Sequence, residues 1–269
     1  MLNSKYKIAY VLSFVILVLA TLASTWGLFS ESIYRDNDLI IAAWKGNDLV
    51  TLFVVIPLMI ISLRGSSKGS NRSHLIWMGT LLYMLYNYMF YLYGAAFNKL
   101  FLVYVALFTL SIYALIIALL KTDASNISSL FSKKTPIKWI SGFMLFFGTL
   151  LGILWIIMSL SFVFTNKIPQ AITQTDHPTG VVFATDLSIL IPALIISAIF
   201  LLKRKDWGYV FSSMVLIKAT TYGMALIAMS VIAKFRTGEG DPMIPLWAFL
   251  SIGCFISCFV LLKNMKKII

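Results

Sequence analysis

Histidine, cysteine and acidic side chains are all scarce in this 269-residue chain, and each shortage removes a class of function. His74 and His177 are the only histidines, and both fall in or beside loops. That excludes a haem held by two histidines inside a membrane, and no cofactor is expected. Asp176-His177, even with Asp48 or Asp186 nearby, makes too thin a donor set for a metal, so none is expected either. Cys254 and Cys258 lie in one apolar run, with no CxxC and no loop pair, so neither a disulfide framework nor a thiol redox motif is present. No HExxH, GxSxG or Walker motif occurs. Charged residues make up 12% of the chain, against about 25% in soluble domains.

What the chain has instead is apolar length. It is 60% hydrophobic, with mean hydropathy +0.91. A water-soluble fold of this size has too little interior to hide so much apolar side chain. Eight apolar spans are read at about 8–29, 48–63, 75–96, 100–120, 139–163, 183–202, 209–235 and 243–262, several reaching the ~20 residues that cross a bilayer. Backbone groups in lipid must be satisfied within each segment, so the spans are helices. The run after MLNSKYK is longer than the 7–15 residues of a secretory h-region, and is read as an uncleaved first span. No connection exceeds about 20 residues, which leaves no room for an extramembrane catalytic domain. The longest, 121–138 and 164–182, are polar and expected to be mobile.

The formal charge of +12 follows the topology. One alternating set of connections holds fifteen basic residues, among them Arg64, Arg72, Lys121, Lys203, Arg204, Lys263 and Lys267. The other holds six, together with Glu31, Asp36, Asp38, Asp176, Glu239 and Asp241. The positive-inside rule places the first set and both termini in the cytoplasm. Anionic lipid headgroups are the expected counter-charge, and nucleic acid is not an expected partner. The fold class is all-α transmembrane: an eight-helix bundle forming a single integral membrane domain over 1–269.

Two spans share a phrase. NDLVTLFVVIPLMIISLR at 47–64 and TDLSILIPALIISAIFLLKR at 185–204 each open on a polar residue and Asp, carry an internal proline, and end on a basic residue. A tandem four-plus-four repeat, with halves 1–120 and 139–269 joined by a cytoplasmic linker at 121–138, is one account. Chance is the other, since Asp48 precedes its proline by nine residues and Asp186 by six. Each proline removes a helix hydrogen bond, freeing the carbonyls of Phe53 and Ser188. Pro57 and Pro192 read either as hinges, whose freed carbonyls face a cavity, or as packing kinks.

Ionisable groups inside a membrane are costly and mark candidate sites. Three qualify. Asp48 follows Gly46-Asn47 and also fits a helix N-cap. Asp186 lies about one turn inside its span. Lys218 either snorkels to the surface or is buried and needs a partner; its distance in depth from Asp186 is expected to exceed about 10 Å at 1.5 Å per residue. The third span, LLYMLYNYMFYLYG, places Tyr83, Asn87, Tyr91 and Gly94 on one face. Tyr88 and Tyr93 are expected in an interfacial aromatic belt. Phe97-Asn98-Lys99 reads as a tight turn with Asn98 in a left-handed cap.

The segments Gly46–Leu52, Leu75–Gly79, Tyr83–Tyr91 and Phe97–Tyr104 resemble a family of uncharacterised bacterial integral membrane proteins. That resemblance implies a multi-pass protein of the bacterial cell membrane and no particular activity. The leading expectation is a transporter for a small molecule or ion. Asp48, Asp186, Asn87, Tyr83, Tyr91 and Lys218 would form a polar site between spans two, three, six and seven, toward the outer side. Alternatives are an intramembrane enzyme acting on a lipid or isoprenoid, and a non-catalytic membrane partner of immunity type.

Overall fold

The computed structural model of the chain describes residues 4–238 and 240–266; Glu239 and Lys267, counted above, lie outside the described residues. Eight long helices, numbered here in chain order, make up most of it: α1 (Lys7–Phe29), α2 (Asp38–Ser67), α3 (Asn71–Gly94), α4 (Phe101–Leu120), α5 (Ile137–Thr165), α6 (Val181–Leu202), α7 (Asp206–Thr237) and α8 (Ile244–Lys263). No strand occurs among the described residues, where Phe131 and Met265 form an isolated bridge. All of these helices but α3 are long and apolar enough to cross a membrane. α3 is of similar length but carries five tyrosines and Asn87. Large apolar side chains point away from the bundle along its length, including Phe14, Leu102, Ile157 and Phe255, far more than a soluble monomer leaves exposed. The chain is an all-helical, multi-pass integral membrane protein.

Two sets of connections gather at opposite ends. At the basic end, the Tyr10 hydroxyl meets Ser66 Oγ at 3.0 Å, Ser66 meets His74 Nδ1 at 3.0 Å, and His74 Nε2 meets Thr122 Oγ1 at 3.0 Å. This chain ties α1, α2 and α3 to the end of α4. Segment 121–138, expected as a linker, packs on its neighbours. It folds a short helix, Ala124–Ser129; Ser132 N donates to Asn264 O at 3.0 Å, and Arg204 Nη2 donates to Lys133 O at 3.3 Å. At the opposite end, Asp36 accepts from Trp44 Nε1 and from Ala96 N, and Asn37 Nδ2 donates to Asp176. Asn98 takes no left-handed conformation; its side chain accepts from Leu100 N at 2.9 Å and so opens α4.

Glu31, exposed at that end, meets Lys45 Nζ at 2.5 Å and Arg236 Nη1 at 3.3 Å. The Lys45 ammonium, then the Arg236 guanidinium, hold its carboxyl below the usual range. A lowered carboxyl adds stability that is present above its ordinary pKa of about 4.3 and is lost as pH falls through its folded value. Protection of the amides in residues 30–37, taken relative to the intrinsic exchange rate at each pH, is therefore expected to fall below pH 4 and to stay level between pH 5 and 7; the Glu31→Gln variant should show no such step.

The helices pack in two rings. α1 lies on α2 and α4, and α3 on α2 and α4; α5 lies on α6 and α8, and α7 on α6 and α8. Between the rings α7 packs on α2 and α3, and the start of α6 reaches α3. The second helix of each ring carries the same defect: a π turn at Thr51–Val55 in α2 and at Asp186–Leu190 in α6, followed by Ile-Pro. The cause is local. Proline has no N–H, and its ring collides with the carbonyl four residues back. Widening the preceding turn relieves this, so Ile56 N donates to Thr51 O and Ile191 N to Asp186 O. Phe53 and Ser188 lie on the exposed side of their helices.

Candidate functional site

α2 begins ten residues before the span expected for it. Asn37 is its N-cap, accepting from Ile40 N at 3.0 Å. Asp48 is therefore not a cap but an interior helical residue, 2% exposed. The Tyr34 hydroxyl donates to Asp48 Oδ2, and the Tyr91 hydroxyl lies 3.0 Å from Oδ1. Asp48 forms no ion pair among the described residues. Next to it runs a buried polar chain. Thr51 Oγ1 meets the Tyr83 hydroxyl at 2.8 Å, Tyr83 donates to Asn47 Oδ1 at 3.1 Å, and Asn47 Nδ2 donates to Asn87 Oδ1. The expected face of α3, Tyr83–Asn87–Tyr91, is thus real and packs on α2. Tyr88 belongs to this interior as well: it is 1% exposed and stacked on Tyr104 at 6.3 Å. Only Tyr93 fits the belt, at 64% exposed.

The other side of α3 builds a second cluster. Asp186 opens the π turn of α6 and is 6% exposed. Its Oδ1 accepts from the Tyr86 hydroxyl and its Oδ2 from Trp155 Nε1 at 2.9 Å. Trp155 is held flat by Phe183, centroids 4.4 Å apart. Lys218 Nζ sits 3.2 Å from the centroid of the Tyr86 ring and 4.6 Å from that of Tyr222. Cation–π contacts of this kind are worth about 2 kcal/mol when desolvated. Lys218 is 2% exposed, and its amino group has no hydrogen-bond partner among the described residues.

Asp186 and Lys218 come to one place, against the expected separation in depth. α6 ends at Leu202 and α7 restarts at Asp206, so the two helices share a level. Asp186 stands sixteen residues from that level and Lys218 twelve, a difference of about 6 Å at 1.5 Å per residue. Both line a cavity of about 180 Å³, which also touches Trp44, Phe90, Phe147, Trp155, Tyr222 and Trp247. Thr175 and His177 meet it from the connection between α5 and α6, and His177 Nε2 lacks a hydrogen-bond partner among the described residues. Trp44 is the shared wall: it lines the cavity and packs, tilted, against Tyr91 with centroids 4.7 Å apart. The single site expected between spans two, three, six and seven is therefore two clusters on opposite sides of α3.

Several members were not anticipated. Trp155 and Tyr34 lie in stretches with no signal except being aromatic, whereas Tyr222 shares with Lys218 and Thr221 the face of its span that the sequence sets inward. Thr51 was legible only by aligning the two Ile-Pro pairs, which places it opposite Asp186. Among the described residues no group of three or more His, Cys, Asp or Glu side chains is placed to hold a metal ion. No protein-family model, curated protein or solved structure matches the chain. The residues and their geometry carry the functional argument.

Proposed function

We propose that this chain is a cell-membrane transporter, or a binding protein of that build, whose small-molecule ligand occupies the cavity beside Asp186 and Lys218. The carrying observation is a cavity bordered by both helical rings that holds an amino group without an acceptor and an adjacent carboxyl. Membrane-embedded ionisable groups at such a place point to a ligand path. A second opening supports movement through the bundle. A groove of about 540 Å³ near the basic end is lined by Ile217, Thr220 and Thr221 of α7 together with Leu58, Ile76 and Phe255. Lys218 and Ala219 border the cavity, so both openings abut the same turn of α7. The π turns before Pro57 and Pro192 give α2 and α6 places to bend, as interrupted helices do in many transporters. Asp48, which pairs with no cation, is assigned to hold a proton or a small cation.

In this reading α3 is the eighth span, with the hydroxyls of Tyr83, Tyr86 and Tyr91 met by Thr51 and Asn47, by Asp186, and by Asp48. The basic end faces the cytoplasm and the cavity opens toward the outer side. The two rings, 1–120 and 139–269, descend from one four-helix unit repeated with direction preserved, and are related by an axis along the membrane normal. The matching π turns support this.

The test compares uptake of a broad mixture of small metabolites into vesicles bearing the wild-type chain or Leu226→Trp. Leu226 lines the cavity, and the larger side chain fills it. At least one compound is expected to differ threefold or more in accumulation. Equal profiles, with both proteins folded and inserted, would contradict transport through this cavity.

A further inference from the structure

We infer that the ligand of the Asp186–Lys218 cavity is a small organic anion, a carboxylate on a flat apolar body, anchored by Lys218. The inference rests on the cavity being a ligand site, as proposed above, and adds the chemical class. It follows from which hydrogen-bonding groups remain unmet. Both Asp186 oxygens already accept bonds, one from Tyr86 and one from Trp155. Lys218 offers N–H donors, and no acceptor among the described residues reaches them. His177 Nε2, at the same cavity, is also without a partner. Buried polar groups are normally satisfied, so the cavity asks its occupant for an acceptor.

The walls supply the remainder. Tyr86, Phe90, Trp155, Tyr222 and Trp247 make the enclosure aromatic, and aromatic faces favour a flat apolar partner in offset or edge contact. The volume of about 180 Å³ matches roughly six waters at ~30 Å³ each, which suits a one-ring acid and is too small for a lipid. An ammonium ligand would also seek aromatic faces and a carboxylate. Its seat over Tyr86 and Tyr222 is already filled by the Lys218 amino group, and the carboxyl it would seek already accepts from Tyr86 and Trp155.

Three probes of one shape separate the classes: benzoate, neutral benzamide and cationic benzylamine. Binding to the full chain in detergent micelles is read by tryptophan emission, since Trp44, Trp155 and Trp247 line the cavity, and by thermal shift. Benzoate is expected to bind more tightly than benzamide, and benzylamine not measurably. Lys218→Met should weaken benzoate at least tenfold and leave benzamide within threefold. Leu226→Trp, which keeps the lysine, should abolish both, and it remains informative if Lys218→Met does not fold. Benzylamine binding more tightly than benzoate would overturn the anion class while leaving the cavity as a ligand site. Benzoate binding unchanged in both variants would show association elsewhere and overturn the inference. If no probe binds, the inference falls, and the uptake comparison with Leu226→Trp separately decides whether the cavity carries a substrate.

Discussion

Replacing Asp186 with leucine is expected to lower the unfolding temperature by roughly 10 °C, from a loss of about 3–5 kcal/mol. The change strips the acceptor from two buried donors, the Tyr86 hydroxyl and Trp155 Nε1. Each buried polar group left unpaired costs about 1–3 kcal/mol. It also removes the carboxyl that shares the cavity with the Lys218 amino group. Asp186→Asn keeps an acceptor for one of the donors and should fall between leucine and wild type. The diagnostic variant is the double one. Asp186→Leu with Lys218→Met takes away the uncompensated amine together with the carboxyl, and should regain more than 1 kcal/mol over the sum of the single changes. Thermal unfolding of all four proteins in one detergent gives the cycle. Additive effects would mean that the two groups share a cavity without acting on each other.

At the interface of the two rings, Gly46 predicts a change of opposite sign from helix propensity. A Cβ there would meet the backbone of α7 at Ala228 and Met229, with Ala228 C only 2.8 Å away. Backbone cannot swing aside as a flexible side chain can. In a free helix Gly→Ala gains about 1 kcal/mol; here Gly46→Ala is expected to lose about 1–3 kcal/mol through overpacking. Gly46→Leu should part α2 from α7 and leave little monodisperse protein on size exclusion. The adjacent Asn47 holds the chain to Tyr83 and Asn87, so the damage spreads to the Asp48 cluster. A stabilised Gly46→Ala would contradict the close approach, whose use of a small residue is the usual way for membrane helices to pack tightly.

Much of the architecture was open to reading because bilayer crossing writes itself in long apolar runs and in loop charge. Seven of the eight spans read from sequence, all but the second, agree at both ends within a few residues with the helices found. The start of α2 was not legible, because Gly46-Asn47-Asp48 carries the signature of a cap while the capping is done by Asn37, ahead of Asp38-Leu-Ile-Ile-Ala-Ala-Trp-Lys45. Lys45 reads as a loop charge, yet it is a buried helical residue paired with Glu31. The π turns left only the prolines as trace; a widened turn depends on how the chain relieves the proline clash, which residue types alone do not specify. Asp186 and Lys218 were singled out by the cost of charge in lipid. Their meeting in one cavity needed the level of the α6–α7 turn, and their dependence on Trp155 and Tyr222 needed the packing itself. Tyr88 shows the same limit, since a tyrosine near a helix end suits an interface belt or an interior equally well until its neighbours Tyr91 and Tyr104 are in place.

The measurement that tests the central claim most directly is two-sided labelling of a single cysteine at Lys218, with Cys254 and Cys258 replaced by serine, in sealed vesicles of both orientations. An impermeant thiol reagent is expected to reach the site from the cavity side, and more slowly from the groove side past Ile217 and Thr221. Replacing Pro57 and Pro192 with alanine should slow the second route. Reaction from neither face, in a folded and inserted protein, would contradict a ligand path through the bundle and leave the buried charges as interior packing.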